Sequence, residues 1–187
     1  LHVRSRRQRQ MCIRDRHILN TAGAMCYDVP NSNMRRAGIA IYGLYPDLPD
    51  DGVIKKADLK PLMSLKGRIV NIHEAKDGEG VSYGHTFTAH GTRKIATVPL
   101  GYADGIPRGL SNKISASLNG KDVPQVGNIT MDQMMFDITE VDANLGDVVT
   151  LLDENHSIDK WARILGTINY ELTCRLKVRL PRVYTRD

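Results

Sequence analysis

The chain has 187 residues, 41% of them hydrophobic and 25% charged, with a formal net charge of +5. That is enough apolar material for a core in one domain, or in one domain plus part of another. No run approaches the roughly 18 consecutive apolar residues of a membrane helix, and no apolar signal core precedes a cleavage site, so the composition points to a globular protein of the cytoplasm.

The positive charge is local. Residues 1–16 carry six arginines (Arg4, Arg6, Arg7, Arg9, Arg14, Arg16) against Asp15, a balance of 6 − 1 = +5, which leaves 20 basic and 20 acidic residues after it. A basic interaction arm or targeting peptide is one reading of that tail; sequence foreign to the domain, or disordered, is the favoured one. Either way the charge says nothing about the ligand of the remaining chain, and nucleic acid is not the expected partner. Cys12, Cys26 and Cys174 lie far apart and are odd in number, which argues against a disulfide framework. The six histidines form no metal-type spacing, so no metal site is expected.

In chain order, 36–44 is a short apolar run suited to a buried strand, with Ile39 and Ile41 on one side and Ala40 and Tyr42 on the other. Residues 45–52 (YPDLPDDG) follow with turn chemistry and mark a domain boundary. Strands are predicted over 65–73 and 94–102, then a hairpin over 114–126 turning at Asn119-Gly120, then strands over 129–138 and 147–152. One helix interrupts them, capped by Ser157 and stopping at Gly166, with Ile158, Trp161, Ala162, Ile164 and Leu165 at helical spacing and Trp161 in the core.

Chemistry is most visible in 81–87 (VSYGHTF), where Tyr83 stands between Ser82 and Gly84 with His85 beyond. A tyrosine's ordinary pKa of about 10 is too high for a base at neutral pH, so a proton-transfer role requires a neighbouring cation or imidazole. The competing reading is a strand tyrosine with its ring packed and its hydroxyl in water.

The segments HILNT (17–21), RAGIAIYG (36–43), VSYGHTF, VPLGYADGIPR (98–108), GNITMDQ (127–133) and TINYEL (167–172), in this order and spacing, resemble the C-terminal half of alanine racemases. The resemblance implies a mainly β C-terminal domain over 47–187, small and β-barrel-like with one or two helices. Before it, 17–46 would be a remnant of the C-terminal end of a (β/α)8 barrel that binds pyridoxal phosphate. It further implies interconversion of L- and D-alanine for peptidoglycan, in a homodimer with active sites at the subunit interface.

Residue by residue, Tyr83 matches the family's catalytic tyrosine. Arg36 matches the arginine facing the pyridine nitrogen, where a permanently charged guanidinium keeps that nitrogen unprotonated. Thr21, which stands where serine is typical, Gly38, Ile39 and Tyr170 match groups that hold the phosphate. Met131 matches a backbone donor to the substrate carboxylate. Tyr102 and Arg108 match the entry corridor, and Asp132 lies near it with no role the resemblance specifies. Asn128 replaces a frequent arginine, a departure that bears on the corridor's charge. The family's cofactor lysine has no match among the ten lysines, all of which lie from Lys55 onward, so the chain is expected to be partial and inactive alone.

Simpler roles stand beside each of these: a solvated strand end for Arg36, a core methionine for Met131, a core or interface tyrosine for Tyr170, and loop residues for Tyr102, Asp104 and Arg108. Two other functions are compatible with the residues. One is a racemase of the same fold with another or broader amino-acid substrate. The other is a non-catalytic β-domain binding module, whose nucleic-acid affinity would fall with salt and vanish without residues 1–16.

Overall fold

The computed structural model describes residues 17–46 and 58–185. The arginine-rich tail and most of the 45–52 turn segment lie outside them. Divided after Leu62, the described residues fall into two compact units.

In the first unit, helix α1 (Thr21–Cys26) is capped by Asn20, whose Oδ1 accepts the Gly23 N–H at 2.9 Å. A single parallel bridge joins Leu19 to Arg35. The strand expected over 36–44 is instead a 3-10 helix, Ile39–Tyr42. Ile39 is buried but Ile41 is 63% exposed, so the two do not share a covered face. A strand needs ladder partners, and among the described residues that bridge is the only pairing here. The backbone therefore bonds to itself, Ile41 N–H to Gly38 O at 2.9 Å and Gly43 N–H to Ala40 O at 3.0 Å. Gly43 ends the turn at φ 71°, where a Cβ would lie 1.7 Å from the Lys60 carbonyl oxygen.

The second unit is mainly β. Its strands are β1 (Leu65–Arg68), β2 (Asn71–Ala75), β3 (Gly80–Val81), β4 (Phe87–Thr88), β5 (Arg93–Val98), β6 (Ser115–Leu118), β7 (Lys121–Val126), β8 (Met134–Asp137) and β9 (Val148–Leu152). Seven of them form one antiparallel sheet in the order β1-β9-β6-β7-β8-β5-β2, curled into an open half barrel, while β3 and β4 pair separately.

The predicted strand 65–73 is what bends the sheet. It divides after Arg68, and its halves occupy opposite edges, β1 against β9 and β2 against β5. At the corner Ile69 N–H donates to Asp147 O and Val70 N–H to Thr97 O, both at 2.9 Å. Gly67 permits the inside of the bend, since a Cβ there would lie 2.4 Å from Val98 Cγ1. Ile95, Val98, Leu118, Ile129, Phe136 and Leu151 fill the core.

Helix α2 (Ile158–Leu165) and helix α3 (Asn169–Arg175) follow the last strand. Trp161 is buried, as its helical spacing predicts. The predicted strand 94–102 stops at Val98, and Tyr102–Asp104 forms a 3-10 turn. The strand expected over 129–138 is shorter, because only Met134–Asp137 pairs.

Candidate active site

Tyr83 is not on a strand. It opens a 3-10 turn, Tyr83–His85, between β3 and β4. The turn takes an unusual path, with φ 66° and ψ 179° at Ser82, φ 72° at Gly84 and φ 44° at His85. The Ser82 conformation belongs almost entirely to glycine and costs about 1–3 kcal/mol, so surrounding contacts must enforce it. Two of them reach across from the loop between β7 and β8. Ser82 Oγ donates to Asn128 O at 2.7 Å, and Asn128 Nδ2 donates to Tyr83 O at 2.6 Å. The Tyr83 ring is 78% exposed, and its hydroxyl makes no hydrogen bond among the described residues. His85 folds back over Gly80, where a Cβ would sit 2.3 Å from the imidazole Cγ.

The loop opposite is held by side-chain hydrogen bonds. Gln125, buried in β7, donates through Nε2 to Val126 O at 3.0 Å and Gly127 O at 2.9 Å, while its Oε1 accepts Asn112 N–H at 2.7 Å. Asn112 Oδ1 accepts Gly127 N–H at 2.6 Å, and Ser111 Oγ accepts Ile129 N–H at 2.9 Å. Beyond it, Met131 and Asp132 form a bend that Thr130 closes by accepting Gln133 N–H on its hydroxyl at 3.1 Å. The Met131 N–H has no acceptor among the described residues, and its side chain is 54% exposed.

Tyr102 is fixed against this bend. Its N–H donates to Thr130 O and the next N–H, from Ala103, to Met131 O, both at 3.0 Å. The approach leaves no space for a side chain at Gly101, whose Cβ would lie 2.3 Å from Thr130 O. Asp104 is buried and accepts Gly101 N–H at 2.9 Å. Arg179 Nε donates to Asp104 at 2.6 Å and its Nη2 to Asp132 at 2.7 Å. Those bonds, Asp104 first and Asp132 second, push the already high Arg179 pKa further up.

Tyr83, Tyr102, Arg108, Asn128, Met131 and Asp132 line one cleft of about 800 Å³. All six are residues singled out in the sequence, five as site residues and Asn128 as a departure from the family pattern. Tyr170, on α3, does not line it. The sequence reading missed Arg179 and the anchoring side chains Gln125 and Asn112. Arg179 lies 75 positions from Asp104, and no local pattern pairs them. The described residues contain no cluster of potential metal ligands and no helix long and apolar enough to cross a membrane.

In the first unit, Thr21 and Gly38 meet, the Gly38 N–H donating to Thr21 Oγ1 at 2.7 Å. The Thr21 hydroxyl is buried and still has its own proton to give. The Ile39 and Ala40 N–H groups, at the start of the 3-10 helix, find no acceptor among the described residues. Arg36 is exposed, with its N–H on Leu19 O at 2.9 Å. These are donors of the kind an anion accepts, and Arg36 precedes Gly38 by two positions in the chain.

The family description "Alanine racemase, C-terminal domain" matches residues 62–184. The chain is 42% identical over 186 residues to an alanine racemase of Synechocystis, covering 97% of this chain and 49% of that protein. It is 43% identical over 189 residues to one of Clostridium tetani, covering 96% and 48%. Among solved structures, alanine racemase of Clostridium difficile 630 superimposes with a TM-score of 0.82 at 39% identity, covering 96% of this chain and 47% of that one. The Bacillus anthracis enzyme with bound L-Ala-P gives 0.82 at 36% identity, covering 90% and 44%. The chain thus spans about half the length of the curated relatives it matches.

Proposed function

Because the chain belongs to the alanine racemase family, we propose that it takes part in the pyridoxal-phosphate-dependent interconversion of L- and D-alanine, supplying D-alanine for the cell wall in the cytoplasm. The observation that carries this reading is the convergence of Tyr83, Tyr102, Arg108, Met131 and Asp132 on one cleft, with the Met131 N–H unengaged.

Racemisation moves a proton to either face of the substrate's α-carbon, so two groups must flank it. Tyr83 works one face, and its exposed phenol suits a partner held outside its own unit. The Met131 N–H holds the substrate carboxylate, and its side chain has no part in that contact. Tyr102, Arg108 and Asp132 line the approach, where Tyr102 and Arg108 control substrate access. Thr21, Gly38, Ile39 and Tyr170 bind the cofactor phosphate, and Arg36 faces the pyridine nitrogen. The cofactor, when bound, delocalises the electrons left by the departing α-proton. The lysine that would carry it is not among these residues.

We assign 47–187 to the family's β domain and 17–46 to the end of the cofactor-binding barrel. The site is completed across a homodimer, the β domain of one protomer facing the partner's barrel. In the full-length parent enzyme with its cofactor, Tyr83→Phe is expected to lower the racemisation rate about 10²- to 10⁴-fold. Alanine enantiomers followed by chiral chromatography measure it, and undiminished turnover sinks the assignment.

A further inference from the structure

We propose that Asn128 is the positioning residue of Tyr83: its side-chain amide and backbone carbonyl clasp the turn that carries the phenol, and proton transfer on that face depends on the clasp. The inference rests on the role proposed for Tyr83.

A ring that is 78% exposed, with no hydrogen bond to its hydroxyl among the described residues, takes its place within its own chain from its backbone. That backbone is one a free chain avoids, with left-handed φ values at Ser82, Gly84 and His85. Two bonds spanning about 45 residues hold it. Asn128 Nδ2 donates to Tyr83 O at 2.6 Å, and Ser82 Oγ donates to Asn128 O at 2.7 Å. One clamps the residue before the phenol and the other the phenol residue itself.

Asn128 is equipped for this because its own neighbours are immobilised. Asn112, Gln125 and Ser111 bond Gly127 and Ile129 on either side of it. Gly127, at φ 74°, lets the two loops touch, since a Cβ there would lie 2.6 Å from Val81 O. One N–H of the Asn128 amide is thereby spent on the Tyr83 carbonyl. A side chain of different length or without a donor removes the bond to the Tyr83 carbonyl and leaves the turn held by Ser82 at its start and by Asn112 Nδ2 on Thr86 Oγ1, at 3.0 Å, at its end. Misplacement by about 1 Å is enough to cost proton transfer about 10²-fold.

The test uses the full-length parent enzyme with its cofactor and follows racemisation together with deuterium uptake at the α-carbon of each enantiomer separately in D2O. Tyr83→Phe is the reference. It is expected to lower racemisation about 10²- to 10⁴-fold and to leave exchange with retained configuration in the enantiomer served from the opposite face. Asn128→Ala, Asn128→Asp and Ser82→Ala are each expected to reproduce that split, lowering racemisation about 10- to 100-fold while the retained exchange stays within about 2-fold of wild type. Asn128→Asp keeps the side-chain volume and loses the donor, so an effect equal to that of Asn128→Ala assigns the loss to the hydrogen bond. Wild-type racemisation in both Asn128 variants, or an equal loss of exchange in both enantiomers, overturns the proposal. A Tyr83→Phe enzyme that racemises normally instead overturns the role of Tyr83, and with it the ground of the inference.

Discussion

Asp104 shows how a single carboxylate links two stretches of the cleft wall. It is buried, and its oxygens take the Gly101 N–H at 2.9 Å and the Arg179 guanidinium at 2.6 Å. Arg179 in turn reaches Asp132 at 2.7 Å. The turn bearing Tyr102 and the bend bearing Met131 are therefore tied by side chains as well as by their backbone bonds. Replacing Asp104 by alanine leaves the buried Gly101 N–H and one face of the guanidinium without their acceptor. The expected cost is about 2–3 kcal/mol, below that of a fully buried pair because Arg179 is half exposed. Asp132→Ala breaks only the solvent-facing arm and is expected to change stability little. Urea unfolding of both variants separates the two cases, and equal losses would contradict this account. In the sequence Asp104 reads as a loop residue and Asp132 has no assignable role, since their shared partner lies far along the chain.

Elements were legible where the signal is local. The 114–126 hairpin turns at Asn119 (φ 51°) and Gly120 (φ 78°), as positive-φ residues between two β patterns predict. Helix α2 begins at its Ser157 cap, which accepts the Lys160 N–H at 3.2 Å, and ends at Gly166 with φ 65°. Helix α3 was not read, because its cap position is Ile168, which offers no side-chain acceptor, and it starts three residues after the glycine that ends α2. The run 36–44 was misread because a short apolar segment has no period that separates strand from turn. It lacks ladder partners among the described residues, and its glycines at both ends favour the tight helix. The legible cap makes its own prediction. Ser157→Ala removes the acceptor for one orphaned N–H, and loss of stability by about 1 kcal/mol is expected, read from the urea midpoint at unchanged m-value. No shift in the midpoint would mean that packing of Trp161 and Ile158, both buried, sets the start of α2 by itself.

At the scale of the whole molecule, the formal charge misleads about stability. The +5 comes from residues 1–16, whereas the charges that couple folding to pH are internal to the second unit. His156 is buried after β9, with Nε2 2.6 Å from Asp122 and Nδ1 2.9 Å from Asp153. Burial opposes its protonation, but the bonds to Asp122 and Asp153 outweigh burial and raise its pKa above 6.5. Asp153 is likewise disfavoured as an anion by burial. The His156 side chain and the His156 and Asn155 N–H groups more than offset that and lower it below 3.8. A raised histidine contributes stability in full below pH 6.5 and loses it as pH rises through the folded value. A depressed carboxylate contributes above about pH 4 and loses it as pH falls through its folded value. The second unit is thus expected to be most stable between about pH 4 and pH 6.5, declining on both sides. Trp161, the chain's single tryptophan, is buried in α2, so its fluorescence during urea unfolding follows this unit. His156→Gln keeps hydrogen-bonding capacity without a titrating proton, and should remove the alkaline decline while weakening the acid limb to the part that the backbone N–H groups of residues 155 and 156 sustain on Asp153. If the wild-type chain instead gains stability from pH 6 to pH 9, the charged triad is not what joins β7 to the end of β9.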